Sequence, residues 1–63
     1  MVVRVVDVGE GLTTWTGDLD ALVADNGGDG EIVDAADLLR ATGQPVHMGG
    51  GAAPLYRIER TDD

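Results

Sequence analysis

Hydrophobic and polar residues alternate near both ends of this chain and take a helical spacing in its middle. Five valines fall within Val2–Val8, and β-branched side chains suit the extended backbone of a strand. The alternation places Val3 and Val5 on one face of this predicted strand. Gly9 to Gly11 then supplies turn residues, and Leu12–Trp15 is a second β-prone run. Together these segments predict a β-hairpin.

A first helix is predicted by an apolar stripe after the hairpin. The residues that recur at i, i+3 and i+4 are Leu19, Leu22 and Val23. Thr16 or Asp18 can cap the start of this helix, because a short side-chain oxygen accepts from a free backbone N–H. Asn26 is followed by two glycines and ends it.

A second helix is predicted to begin at Asp34, which is a good N-cap residue. Asp37 lies three residues further on and supports the first turn. Gly43 suits the left-handed position after the last turn, and Pro45 follows where the helix cannot continue. The residues that we expect to face inward are Leu38, Leu39 and Ala41.

Two strands complete the prediction. Val46–Met48 is a short strand, Gly49–Pro54 is a loop, and Leu55–Arg60 is the last strand, with Tyr56 and Ile58 on one face. The predicted order is ββααββ. Its simplest packing is an α+β fold, a small antiparallel sheet with two short helices on one face. A chain of 63 residues leaves room for a single domain, residues 1–63.

Composition removes most kinds of catalytic or metal chemistry. The chain has no cysteine, no serine and a single histidine, His47. A disulfide scaffold, a thiolate metal site and a Ser-His-Asp triad are therefore excluded. Asp18 and Asp20 are two residues apart, a spacing that does not bring two carboxylates together on a helix. We expect a non-enzymatic protein without a cofactor or a metal. Because no apolar run approaches a membrane span or a secretory leader, we expect it in the cytoplasm.

Charge is the most distinctive feature of the chain. It has 12 acidic residues against four arginines and no lysine, a net charge of −8. Residues 18–37 contain seven acids and no base: Asp18, Asp20, Asp25, Asp29, Glu31, Asp34 and Asp37. Nucleic acids and anionic membranes are poor ligands for such a chain, since both bind through Lys and Arg. The predicted partner is a basic protein surface, and the predicted site is this set of seven acids.

The acidic segment within a ββααββ plan resembles a class of small proteins encoded by phages and mobile elements. They inhibit host defences, and they include anti-CRISPR proteins and DNA-mimic anti-restriction proteins. The similarity is one of style over the whole chain and includes no diagnostic motif. It implies an inhibitor whose acidic face imitates the phosphates of a duplex. Such a face would block a basic, nucleic-acid-binding surface of a host defence complex, such as a CRISPR complex, in the host cytoplasm.

Several alternatives stay open at this point. Asp25 to Ile32 resembles a calcium loop, but in the best register Gly27 and Ala36 stand where carboxylates are needed. The segment is otherwise interpreted as a connection between the two helices, with Asp29 or Asp34 as a cap. Gly49–Pro54 could instead be the binding surface of a small protein–protein interaction module. The acidity could also serve only solubility or adaptation to salt. Trp15 fits either the core or an interface.

Overall fold

The computed structural model describes residues 1–49 and 55–61. Within these ranges the chain forms four strands and two helices. In chain order they are β1 (Val2–Asp7), β2 (Leu12–Asp18), α1 (Leu19–Asp25), α2 (Gly30–Thr42), β3 (Val46–Met48) and β4 (Tyr56–Arg60).

The four strands form one antiparallel sheet in the order β2-β1-β4-β3. β1 is a central strand, and Val5 pairs with Trp15 on one side and with Ile58 on the other. A bulge interrupts the pairing of β1 with β2 after Val5, and the Thr14 hydroxyl there donates to the Val5 carbonyl at 3.3 Å. The predicted α+β fold with the order ββααββ is confirmed.

Both helices contribute to one core on a single side of the sheet. Val3, Val5 and Ile58 supply the sheet's part of this core. The helical part consists of Leu19, Leu22, Ala35, Ala36 and Leu39. Ala36 and Leu39 are fully buried. In a chain this short, these few side chains supply most of the apolar burial that stabilises the fold.

The second strand is longer than predicted. It continues past Trp15 to Asp18, because its backbone pairs with β1 as far as the contact between Asp18 and Val2. Of the two predicted caps for α1, Asp18 is the one used, and its carboxylate accepts from the Asp20 N–H at 2.9 Å. Packing against Trp15 requires glycine at position 17, since a Cβ atom there would lie 2.7 Å from the indole ring.

The second helix begins five residues earlier than an N-cap at Asp34 predicts. Asp29, and not Asp34, is its N-cap, and the Asp29 carboxylate accepts from the Glu31 N–H at 2.9 Å. The predicted end is correct, since Gly43 takes a left-handed conformation and its N–H donates to the Leu39 carbonyl at 2.7 Å.

This earlier start changes which face of α2 is buried. Leu39 faces inward as predicted, but Leu38 is 52% exposed and Ala41 is also exposed. Ala35 and Ala36 take the inward positions instead. Two alanines gave a weaker apolar signal than the adjacent leucines, so the sequence pattern misplaced the buried stripe.

The adjacent leucines Leu38 and Leu39 provide a direct test of this helix orientation. We expect Leu39→Ala to lower the free energy of unfolding by about 2–5 kcal/mol, because it leaves a cavity in the core. Leu38→Ala should change it by less than about 0.5 kcal/mol, because the side chain is largely in solvent. Urea unfolding followed by Trp15 fluorescence measures both values. Equal losses for the two variants would contradict the orientation.

Candidate functional site

The seven predicted site residues are all exposed, and they lie within the two helices or directly before them. Asp18 stands at the junction of β2 and α1, and Asp29 stands just before α2. The others lie within the helices: Asp20, Asp25, Glu31, Asp34 and Asp37. Arg40 is the only basic residue between positions 18 and 42. We call this set of seven acids with Arg40 the acidic layer.

Two carboxylates of the acidic layer stabilise helix starts. Asp18 and Asp29 each accept a hydrogen bond from the backbone N–H two residues ahead, which satisfies a donor that has no partner within the helix. The hydrogen bond from the Asp20 N–H lowers the pKa of Asp18, and the N-terminal ammonium group 3.5 Å away acts in the same direction. These two charges therefore have a structural role as well as a place on the surface.

Arg40 joins the two helices through two further acids of the layer. Its guanidinium pairs with Asp20 in α1 and with Asp37 one turn back in α2. The Asp37 contact is 3.4 Å long, and the side chains involved are largely exposed. Exposed pairs of this kind contribute little to stability. Their effect here is to offset part of the repulsion between the carboxylates of α1 and α2.

The remaining three acids differ in how far they are engaged. The Oε1 atom of Glu31 accepts from the Gly49 N–H at 3.0 Å and so links the start of α2 to the end of β3. Asp25 and Asp34 have no hydrogen-bond or ion-pair partner among residues 1–49 and 55–61. These two carboxylates are the members of the acidic layer that are available to a partner without loss of an internal contact.

The face of the sheet opposite the helices has a different charge pattern. Arg4 and Arg57 project there, because they alternate with the buried Val3, Val5 and Ile58. Both arginines bind Glu59, with contacts of 3.2 Å from Arg4 and 2.8 Å from Arg57. Hydrogen bonds from Arg57 and then from Arg4 lower the pKa of Glu59. The acids of residues 18–37 and these two arginines therefore lie on opposite sides of the domain.

The segment that resembles a calcium loop serves here as a helix–helix connection. The Asn26 amide donates to the Leu22 carbonyl at 2.8 Å, and the Asp29 carboxylate caps α2. Helix α2 already begins at Gly30, where the calcium register would require a loop that continues toward its twelfth position. Within residues 1–49 and 55–61, no three Asp, Glu or His side chains gather as metal ligands do.

Trp15 packs against the core while remaining partly exposed. It also lines a cavity of about 380 Å³ beneath the hairpin end of the sheet, together with Leu22, Ile32, Met48 and Tyr56. Trp15 is thus a partly buried residue at the edge of the core. The alternative binding surface at Gly49–Pro54 lies outside the described residues except for Gly49, whose φ of 128° and close approach to Leu55 require glycine.

A second cavity, of about 560 Å³, lies between α2 and β3. Glu31 and Asp34 line it from the helix, and Val46 and Met48 line it from the strand. The exposed Leu38 also borders it. Sequence reasoning missed this site, because it assigned Leu38 to the core and placed Glu31 outside the helix. With α2 begun at Gly30, positions 31, 34 and 38 fall on one helical face.

Comparison with known proteins adds no family to this description. No protein-family model matches the chain, and neither a characterised protein nor a solved structure shows significant similarity to it. Neither helix in the described part of the chain has the length and hydrophobicity needed to cross a membrane.

The helix start at Asp29 can be tested with two aspartates of α2. We expect Asp29→Ala to lower the free energy of unfolding by about 0.5–2 kcal/mol, because the Glu31 N–H loses its acceptor. Asp34→Ala removes the same charge but no hydrogen bond, so its effect should be smaller. Chemical denaturation at neutral pH compares the two. A larger loss for the Asp34 variant would restore the helix start predicted from the sequence.

The lowered pKa of Glu59 predicts a specific dependence of stability on pH. A carboxylate whose pKa is lower in the folded state stabilises the fold above its unfolded pKa, about 4.3 for glutamate. This stability is lost as the pH falls through the lowered value. We expect Glu59→Gln to be less stable at pH 7 and to lose less stability on acidification below about pH 4.3. Parallel acid-unfolding curves for both proteins would contradict the assignment.

Proposed function

We propose that this protein is a non-enzymatic inhibitor that binds a basic, nucleic-acid-binding surface of another protein through its acidic layer. The observation that carries the proposal is the separation of charge. Seven exposed carboxylates lie within the two helices or directly before them, together with Arg40. The Arg60 guanidinium lies near Gly43 at the end of α2, whereas Arg4 and Arg57 lie on the other side of the sheet. The resemblance to anti-CRISPR and DNA-mimic proteins suggests a host defence complex as the partner.

Electrostatics supports binding to such a surface in two ways. A one-sided negative field attracts a basic surface at long range and raises the association rate. At short range, carboxylates form charge-assisted hydrogen bonds with Lys and Arg. A protein surface that evolved to hold phosphates, at one charge per about 1.7 Å of duplex axis, presents a dense array of such donors. The acidic layer would compete with nucleic acid for these donors.

The internal contacts indicate which carboxylates would pair with the partner first. Asp25 and Asp34 have no partner within the described residues, so a basic side chain can pair with them at no cost to the fold. The acids that cap the helices or bind Arg40 would give up an internal contact. Asp25 ends α1, and Asp34 lies in the second turn of α2, so the proposed contact involves both helices.

This role predicts that Asp25→Asn with Asp34→Asn weakens binding without harm to the fold. The control is Glu10→Lys in the β1–β2 turn, because both changes move the net charge from −8 to −6. Tagged proteins would be incubated with nuclease-treated bacterial lysate and eluted with a salt gradient. Mass spectrometry would identify the retained protein, and duplex DNA would be added as a competitor. We expect the double variant to elute at lower salt than either the parent or Glu10→Lys.

Two outcomes of this experiment would contradict the proposal. If the retained protein is indifferent to salt and to duplex DNA, its contact with this chain is not mimicry of nucleic acid. If Glu10→Lys and the double variant elute together, only net charge matters and the acidic layer is not the contact surface. Circular dichroism of both variants verifies that the fold is intact.

A further inference from the structure

The groove between α2 and β3 combines charge with an apolar floor. Glu31, Asp34 and Leu38 are spaced at i, i+3 and i+7, so they follow one face of α2. Val46 and Met48 face them from β3, on the same side of the sheet as the buried Ile58. The groove thus has carboxylates toward the start of α2 and aliphatic side chains further along. The groove is largely open to solvent and has a volume of about 560 Å³.

We propose that this groove binds the side chain of an arginine presented by the basic partner. The inference rests on the proposed function and names one contact within it. An arginine has a methylene stem that packs on apolar surface and a planar guanidinium that pairs with carboxylates. Leu38 and Met48 would cover the stem. Asp34, which lies four residues or about 6 Å of helix rise from Leu38, would pair with the guanidinium.

Three observations favour this occupant. Asp34 has no partner within the described residues, so its negative charge is uncompensated in the groove. Glu31 binds Gly49 through Oε1, which fixes its carboxylate and leaves Oε2 as a second acceptor for a forked guanidinium. Leu38, beside these acids, is 52% exposed. The methylene stem of an arginine would cover it, whereas a purely polar ligand would leave it in contact with water.

The dipole of α2 limits where a cation can bind. Its positive end lies at the first turn, residues 30–33, and disfavours a guanidinium there. Asp29 and Glu31 oppose that partial charge at the helix start. Asp34 lies in the second turn, beyond the range in which the dipole acts strongly. The arginine head group is therefore placed nearer Asp34 than the N-cap. His47 also lines the groove.

The test uses a capped pentapeptide with one central arginine and a matched peptide in which neutral citrulline replaces it. Titration into isotopically labelled protein is followed by the amide signals of α2 and the methyl signals of Leu38 and Met48. We expect shifts at these positions with arginine and none with citrulline. Asp34→Asn should weaken the arginine peptide about tenfold, because a charge-assisted contact is lost. Asp25→Asn removes the same charge outside the groove and should change affinity less than about twofold.

A second pair of variants tests the apolar floor without any change of charge. Leu38→Ala should weaken the arginine peptide, whereas Leu12→Ala, at a residue that is 59% exposed on β2, should not. The proposed groove would be contradicted if Asp25→Asn and Asp34→Asn weakened the arginine peptide equally. It would also be contradicted if the NMR signals of α1 shifted on peptide binding, or if those of α2 did not. The lysate experiment distinguishes a wrong arginine groove from a wrong proposed function. Salt-sensitive and DNA-competed capture would still stand if only the arginine groove were wrong.

Discussion

The contact of α2 with the centre of the sheet is the constraint on which the rest of the structure depends. Leu39, Ala35 and Ala36 are buried against a sheet face built on Val3 and Ile58. A chain of 63 residues has few other apolar groups to place in a core. Because those groups are used on one side of the sheet, charged residues must occupy the outer faces of both helices and the opposite side of the sheet. The separation of charge is therefore a consequence of where the core lies.

The acids of the helical layer serve two demands at once. Asp18 and Asp29 are needed where the helices begin, and a helix N-terminus favours negative charge. That requirement alone accounts for part of the acidity. It does not account for Asp25, at the end of α1, or for Asp34, in the second turn of α2. A negative charge near a helix C-terminus is unfavourable, so the dipole of α1 does not account for Asp25.

Sequence reasoning predicted the order of elements and the α+β class because alternation and glycine punctuation are local signals. Local signals also located Asp18 and Gly43 at helix ends.

The start of α2 was misplaced because Ile32 and Val33 favour strands and Gly30 is a poor helix former, while Asp34 has the chemistry of a cap. The true start depends on the turn through Gly27 and Gly28, both at positive φ. Because of this error Leu38 was assigned to the core, and the groove between α2 and β3 was not predicted. The pairing of Arg40 with Asp20 depends on how the two helices pack, which no local pattern contains.

The concentration of like charge links binding to folding. The acidic layer holds seven exposed carboxylates within the two helices or directly before them. Arg40 pairs with two of these acids, and the Arg60 guanidinium lies near Gly43 at the end of α2. Mutual repulsion in such a layer destabilises the compact state, and the small core offers little excess stability against it. A basic surface placed on the layer would remove this repulsion and would favour the folded form by mass action. If the proposed function is correct, the same charges that weaken the isolated domain would strengthen its complex with a basic partner. The proposed binding would give a reason for carboxylates such as Asp25 and Asp34, which have no partner within residues 1–49 and 55–61.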